Sequence, residues 1–354
     1  MTAALYPMRQ WAFEDTPGRY EIDLGNSYVP ARDLADLGVP ASLTLGYGSD
    51  TGTRRLREAV AARYGGSADP DRVLVTHGAA EALYLLFTTL LRPGDRVVTF
   101  LPGWLPSVDV PVHRGCRVET VARTEDMGVD LDAVRAAAGP DLRLVYLDSP
   151  GNPGGRRATD EQVTALADLL AETDGYLVLD EEYRIDLAGS AATRHPRVVS
   201  VSGLAKVYGL PGLRIGWLHG PADVVAGCAR HKHYTSIANS VLCEELAAGV
   251  LDRHEEFAAA YDAAVGPGLE VVAEWAGRHT DLVRVVLPEG TPFAWASPTS
   301  GEPSLALCRR ALDAGVLLMP GETLGSDRGF RLGFARDPAT VAEGLRRITP
   351  LLRP

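Results

Sequence analysis

Ser202-Gly203-Leu204-Ala205-Lys206-Val207-Tyr208-Gly209-Leu210-Pro211-Gly212-Leu213-Arg214-Ile215-Gly216-Trp217 is the most informative run of this chain. A lysine in a Gly-rich segment, with an arginine farther along it, suits an imine-forming amine beside a phosphate site. An amine that forms a Schiff base needs a carbonyl partner, and a guanidinium offers a two-pronged fit to phosphate oxygens. Most lysines are solvated surface charges, so Lys206 acquires meaning from the motifs on either side of it.

Upstream, residues 71–76 (DRVLVT) predict a buried strand that runs through His77-Gly78 into the strongly helical Ala79-Ala80-Glu81-Ala82-Leu83-Tyr84-Leu85-Leu86. A strand feeding a helix through Gly presents backbone N–H groups at the positive end of the helix dipole, which makes a phosphate seat. Phe100-Leu101-Pro102-Gly103-Trp104 sets an indole just past a strand end, where it either packs in the core or stacks on a planar ring. Asp148-Ser149-Pro150-Gly151-Asn152-Pro153-Gly154-Gly155 closes another apolar strand with Asn152, an amide suited to a ring hydroxyl. Tyr176-Leu177-Val178-Leu179-Asp180-Glu181-Glu182-Tyr183 buries a strand and leaves Asp180 at its carboxyl end. A carboxylate there can pair with a protonated pyridine nitrogen, the contact that makes such a ring an electron sink. Pyridoxal 5'-phosphate carries aldehyde, phosphate, ring hydroxyl and pyridine nitrogen together, and is the cofactor these groups suit.

The order Gly78, Trp104, Asn152, Asp180, Tyr183, Lys206, Arg214 resembles the fold-type-I pyridoxal-phosphate enzymes, the aspartate aminotransferase superfamily of classes I and II. The resemblance extends from Tyr47-Gly48-Ser49-Asp50-Thr51-Gly52 with Leu56-Arg57 to Phe330-Arg331-Leu332-Gly333-Phe334. It implies a catalytic set of Lys206, Asp180 and Tyr183. Lys206 holds the cofactor as an imine and shuttles the substrate proton, Asp180 pairs with the pyridine nitrogen, Asn152 and Tyr183 contact the ring hydroxyl, and Trp104 stacks on the ring. Gly78, Ala79, Ala80 and Arg214 hold the phosphate, with Ser202 near them. Tyr47 reaches the phosphate of a neighbouring subunit, which implies a homodimer with shared active sites. Arg331 receives the substrate α-carboxylate as a bidentate fork, with Asn152 and Gly25 beside it. Metal plays no part.

The sequence departs from the superfamily in one consistent way. Where relatives commonly carry hydroxyl side chains around the phosphate, this chain has Ala79, Ala80, Gly203 and Ala205. A hydrogen bond to a charged group is worth about 1.5–3 kcal/mol, so Ser202, Thr76 or Tyr47 is expected to compensate. Val75-Thr76-His77-Gly78, Leu91-Arg92-Pro93-Gly94-Asp95 and the Lys206–Arg214 run are similar to capreomycidine synthase and related cyclases of hydroxylated arginine in antibiotic biosynthesis. That resemblance implies loss of a hydroxyl from the substrate followed by addition of a guanidine nitrogen. A cationic substrate calls for a pocket carboxylate, and Glu14, Asp15 and Asp50 are the candidates. Conversion of an amino acid to its 2-oxo acid by a plain aminotransferase is the alternative. Burial and nearby Arg214 are expected to lower the pKa of Lys206.

With 354 residues the chain exceeds the usual size of one domain. The strand and helix pattern predicts an α/β fold: a three-layer α/β/α large domain with a mostly parallel sheet over residues 46–265, and a smaller α+β domain built from both termini, 1–45 and 266–354. Helices are expected over 159–171, 304–314 and 338–352, strands over 283–287, 293–296, 316–319 and 330–334, and a long helical stretch beyond Ile237 up to Gly266-Pro267-Gly268. The N-terminal arm is expected to pack on the small domain and roof the site. A formal charge of −11 disfavours nucleic acid and anionic membranes. No basic, apolar leader precedes Trp11 and no apolar run approaches ~18 residues. Four cysteines without C-x-x-C spacing read as reduced, buried thiols. A cytoplasmic enzyme is the resulting expectation.

Overall fold

The computed structural model describes residues 6–65 and 69–353. Short apolar runs bounded by Gly, Pro and Asp form the strands. In chain order they are β1 (Ile22–Asp23), β2 (Val73–Thr76), β3 (Arg96–Leu101), β4 (Arg117–Ala122), β5 (Leu142–Asp148), β6 (Tyr176–Asp180), β7 (Val198–Gly203), β8 (Gly216–His219), β9 (Val283–Val286), β10 (Phe293–Pro298), β11 (Val316–Leu317), β12 (Met319–Pro320) and β13 (Phe330–Gly333). Seven of them form one sheet in the order β2-β8-β7-β6-β5-β3-β4. Its neighbours pair in parallel except at β8, which is antiparallel to both β2 and β7.

Helices cover both faces of this sheet, and strand alternation sorts the core between them. Leu144, Tyr146, Val178, Val199 and Val201 face the helices Ala79–Leu90 and Ala222–Lys232, whereas Val145, Leu147, Leu177, Leu179 and Val198 face Asp160–Ala171. The helix Asp160–Ala171 starts on a capping box in which Thr159 accepts from Gln162 N and Gln162 reaches back to the Thr159 N–H. A second, antiparallel sheet has the order β12-β13-β10-β9, and β1 of the arm pairs in parallel with β11. Trp11 anchors the arm by donating from Nε1 to the Leu318 carbonyl at 2.9 Å.

Two expectations need correction. Gly266-Pro267-Gly268 does not end the long helix: His254–Arg278 runs through all three residues. Val265, Gly268, Val272 and Trp275 are buried along it, and this packing outweighs the intrinsic cost of Gly and Pro. The expected strand over 316–319 is divided between two sheets, Val316–Leu317 pairing with the arm and Met319–Pro320 with β13. Of the cysteines, Cys116, Cys228 and Cys308 are buried and Cys243 is half-buried, all as free thiols.

Candidate active site

Five parallel strands of the large sheet deliver their carboxyl ends to one edge, where ligands of open α/β sheets collect. β2 ends at Thr76 and leads through Gly78 into the helix Ala79–Leu90, β3 leads to Trp104, β5 to Asn152, β6 ends in Asp180, and β7 leads to Lys206. Arg214 joins them because β8 runs the other way. The start of β8, at Gly216, registers with both Gly203 and Thr76, so the residues just before it lie at the carboxyl edge of their neighbours.

These groups line one cavity of about 210 Å³ together with Met8 and Ser27 of the arm, Asp148, Glu182, Tyr183 and Arg331. Lys206 Nζ donates to Ser27 Oγ at 3.4 Å and lies 5.8 Å from the Tyr28 ring centre and 5.9 Å from that of Tyr183. Burial pushes its ammonium down, but Tyr183, Glu182 and Asp180 outweigh that and the balance raises its pKa. The expected lowering is therefore reversed. Anionic neighbours hold a proton on the amine, and the second cation that opposes them is Arg331 rather than Arg214.

Asp180 accepts from Tyr146 Oη at 2.9 Å and from the Glu182 backbone N–H at 3.1 Å. Alternation explains the first contact: Tyr146 and Val178 share a face, so Asp180, two residues beyond Val178, points to the same side. Burial, then Glu182, then Asp148 push its carboxyl up to about 8. A carboxylate held under such strain is stabilised by a cationic partner, as a pyridinium nitrogen would be. Asp148 is itself neutralised by an ion pair with buried Arg123 and accepts from the Asn152 backbone N–H at 2.7 Å. Trp104 tilts 36° against Tyr146 with ring centres 6.2 Å apart. Its indole both packs against the core and lines the cavity.

Arg331, on β13, is fully enclosed. Its Nη1 donates to Asn152 Oδ1 and its Nη2 to the Gly25 carbonyl, both at 2.9 Å. Nε is buried with no partner among the described residues, and burial lowers the group's pKa. A buried guanidinium with a donor to spare is prepared for an anion. Tyr6 of the arm is close enough to feel the Arg331 charge, and burial pushes its phenol up to about 12.

Gly78 has φ +78° and precedes a helix without a side-chain cap, leaving the first-turn N–H groups of Ala79 and Ala80 to a ligand. A Cβ on Gly78 would come within 2.5 Å of Arg214 Nη2, so the guanidinium lies close over this turn, and the positive φ favours glycine there. Arg214 also donates to the carbonyls of Pro211 at 3.0 Å and His77 at 3.3 Å. Pyridoxal phosphate fits this set. An amine for its aldehyde, a carboxylate for its nitrogen, an amide and a phenol for its hydroxyl, and a helix start with a guanidinium for its phosphate line a single cavity.

Several expected contributors lie elsewhere. Ser202 is buried and turns its hydroxyl to the Glu181 carbonyl at 3.4 Å, Thr76 donates to the Gly78 carbonyl at 2.9 Å, and neither lines the cavity. Tyr47 is 93 % exposed and does not line the cavity of its own chain. Glu14 pairs with Arg9, Asp15 accepts from Gln10 Nε2 at 2.8 Å, and Asp50 pairs with His233 at 3.1 Å. None of the three acids lines the cavity. Local partners in the arm and in the Tyr47 loop hold them outside it. The acid that sequence reasoning overlooked is Glu182, which lies in the turn just past β6, where strand alternation no longer tells which way a side chain faces.

The family described as "Aminotransferase class I and II" matches residues 41–348. Capreomycidine synthase of Streptomyces vinaceus is 32% identical over 318 residues, covering 85% of this chain and 79% of the relative. An arginine–pyruvate transaminase of Pseudomonas aeruginosa is 30% identical over 330 residues, covering 85% and 81%. The solved structure of the PLP-dependent cyclase OrfR superposes with a TM-score of 0.87 at 28% identity, covering 96% of each chain. The match over most of the chain and the cavity around Lys206 lead to one conclusion: this protein belongs to the class I and II aminotransferase family and is an enzyme that uses pyridoxal 5'-phosphate.

Proposed function

We propose that the enzyme acts on an arginine hydroxylated on its side chain and closes a ring by joining a guanidine nitrogen to the carbon that loses its hydroxyl. The reading is carried by the 32% identity to capreomycidine synthase over 318 residues, 85% of this chain. The likeness to a solved cyclase supports it from the side of structure.

When bound, pyridoxal phosphate supplies an aldehyde for the substrate amine and a ring that accepts electrons from Cα. The residues of the chain do the rest. Arg331 takes the α-carboxylate through its unpartnered Nε, while Asn152 and the Gly25 carbonyl keep the guanidinium from turning. Lys206, as a neutral amine, would remove the Cα proton at Nζ. The resulting ammonium would pass a proton to the departing hydroxyl, which leaves as water. Overall one C–O and one N–H bond are exchanged for one C–N bond and a water molecule. Asp180, held by Tyr146, would pair with the ring nitrogen.

The assembly proposed is a homodimer with shared sites. Leu45, Tyr47, Tyr234, Ile237 and Leu242 are exposed apolar or aromatic residues of two segments that touch, through Asp50 with His233 and Gly48 beside Val241. An apolar patch of this kind supports an interface between copies.

An aminotransferase is the second reading, favoured by the identity to arginine–pyruvate transaminase. Incubation with arginine and with its 3- and 4-hydroxylated forms, followed by mass spectrometry, separates the two. A product lighter by one water with its amino group retained is expected from a hydroxylated form. A 2-oxo acid, with the cofactor converted to its amine form, would replace the cyclase by the aminotransferase. Lys206→Ala is expected to end both reactions while keeping the fold, and borohydride is expected to fix the cofactor on Lys206.

A further inference from the structure

Glu182 lines the cavity, and neither the ring contacts nor the carboxylate fork uses its carboxyl. A Cβ on Gly203 would lie 3.4 Å from Glu182 Oε1 and 3.0 Å from the Ile215 carbonyl oxygen. The carboxyl therefore stands against position 203, one of the places where the resemblance to the superfamily leads one to expect a hydroxyl, and the Ile215 carbonyl and Gly216 crowd that position. Ala79, Ala80 and Ala205 present methyl groups to the same cavity, and Arg214 lines it with them. Among the described residues the Glu182 carboxyl has no hydrogen bond or ion pair of its own; the recorded bond at this residue is from its backbone N–H to Asp180.

We propose that Glu182 is a direct partner of the cofactor phosphate, carrying the proton through which it donates the hydrogen bond that relatives take from hydroxyl side chains. Two anions in contact in a buried site are unfavourable, so the carboxyl and the phosphate must hold one proton between them. Every charged or titratable group facing Glu182 bears on that proton. Burial raises its pKa against the opposing pull of Lys206, on the segment after β7, and Arg214, on the segment before β8. Asp180 and Tyr183 on its own segment and Tyr146 on β5 feel its charge in turn. Binding the phosphate is thus coupled to uptake of a proton wherever Glu182 is otherwise ionised. The inference holds for either reaction.

Pyridoxamine 5'-phosphate tests it, because this amine cannot form an imine with Lys206, and pyridoxamine is the phosphate-free control. Binding to cofactor-stripped enzyme is measured by calorimetry from about pH 7 to about pH 9, above the second ionisation of a phosphate ester near 6, in buffers of different ionisation heat. Wild-type affinity for the phosphorylated amine is expected to fall with pH more steeply than that of Glu182→Gln, approaching about tenfold per pH unit of excess slope where Glu182 titrates. Wild type is also expected to take up more protons on binding, approaching about one per site. Glu182→Gln keeps a donor and is expected to bind at least as well at the alkaline end. Glu182→Ala, checked for folding by circular dichroism, is expected to lose the excess slope and to bind more weakly than Gln. Parallel pH profiles and equal proton uptake for wild type and Glu182→Gln would overturn the proposal. So would an equal effect on pyridoxamine, which would place Glu182 at the ring.

Discussion

Arg331 and Arg214 carry the same guanidinium into the same cavity, and their neighbours assign them different work. Arg331 is enclosed, fixed by Asn152 and Gly25, and keeps a buried Nε free. Arg214 lies over the Gly78 turn, held by two carbonyls. A lysine at either place would keep the charge and lose the planar fork. Arg331→Lys is expected to raise KM about 10- to 100-fold with cofactor binding unchanged, in line with about 1.5–3 kcal/mol for a charge-assisted contact. Arg214→Lys is expected to weaken cofactor binding by a similar factor instead. Steady-state kinetics together with absorbance titration of the cofactor distinguish the two, and equal effects on both quantities in both variants would contradict the assignment. At this scale the sequence was legible for residues fixed by local punctuation, Gly78, Asn152, Asp180 and Lys206. Ser202, Glu14, Asp15 and Asp50 lie outside the cavity of their own chain, their side chains held by partners that no motif reveals.

The strand–turn–helix from Val73 to Leu90 is the element that makes a phosphate seat, and its geometry depends on one residue. Gly78 at φ +78°, ψ 168° occupies a region closed to other residues. Gly78→Ala is expected to cost about 1–3 kcal/mol of stability, read as a lower urea midpoint, and to push Arg214 away and weaken cofactor binding. Thr159→Ala serves as the control at a remote helix start: about 1 kcal/mol is expected from loss of its cap, with cofactor binding unchanged. If both variants lose cofactor equally, the effect is general destabilisation rather than the seat. The helix His254–Arg278 shows the opposite balance. Glycine and proline at 266–268 marked a stop by propensity, yet one face of the helix stays buried along its length. Where Gly78 acts through its own φ, Gly268 acts through packing, because the Phe334 carbonyl comes too close for any side chain.

At the scale of the whole molecule, the exposed Tyr47 loop and the apolar residues from Tyr234 to Leu242 leave a face that a second copy would cover. Sedimentation velocity is expected to show a dimer, and Tyr47→Phe to weaken cofactor binding while the dimer persists; a fully active monomer would remove the shared site. No helix among the described residues is long and apolar enough to cross a membrane. The sequence by itself determined the parallel α/β frame and the row of groups at its strand ends. Short apolar runs bounded by Gly, Pro and Asp dictate strands, and parallel strands must bring their carboxyl ends to one edge. Only the tertiary structure decided that β8 reverses and so carries Arg214 to that edge, that anionic neighbours raise the Lys206 amine, and that Glu182 stands against Gly203 where a hydroxyl was missing. Those outcomes depend on through-space balances of burial and charge between residues far apart in the chain, and no local pattern encodes such a balance.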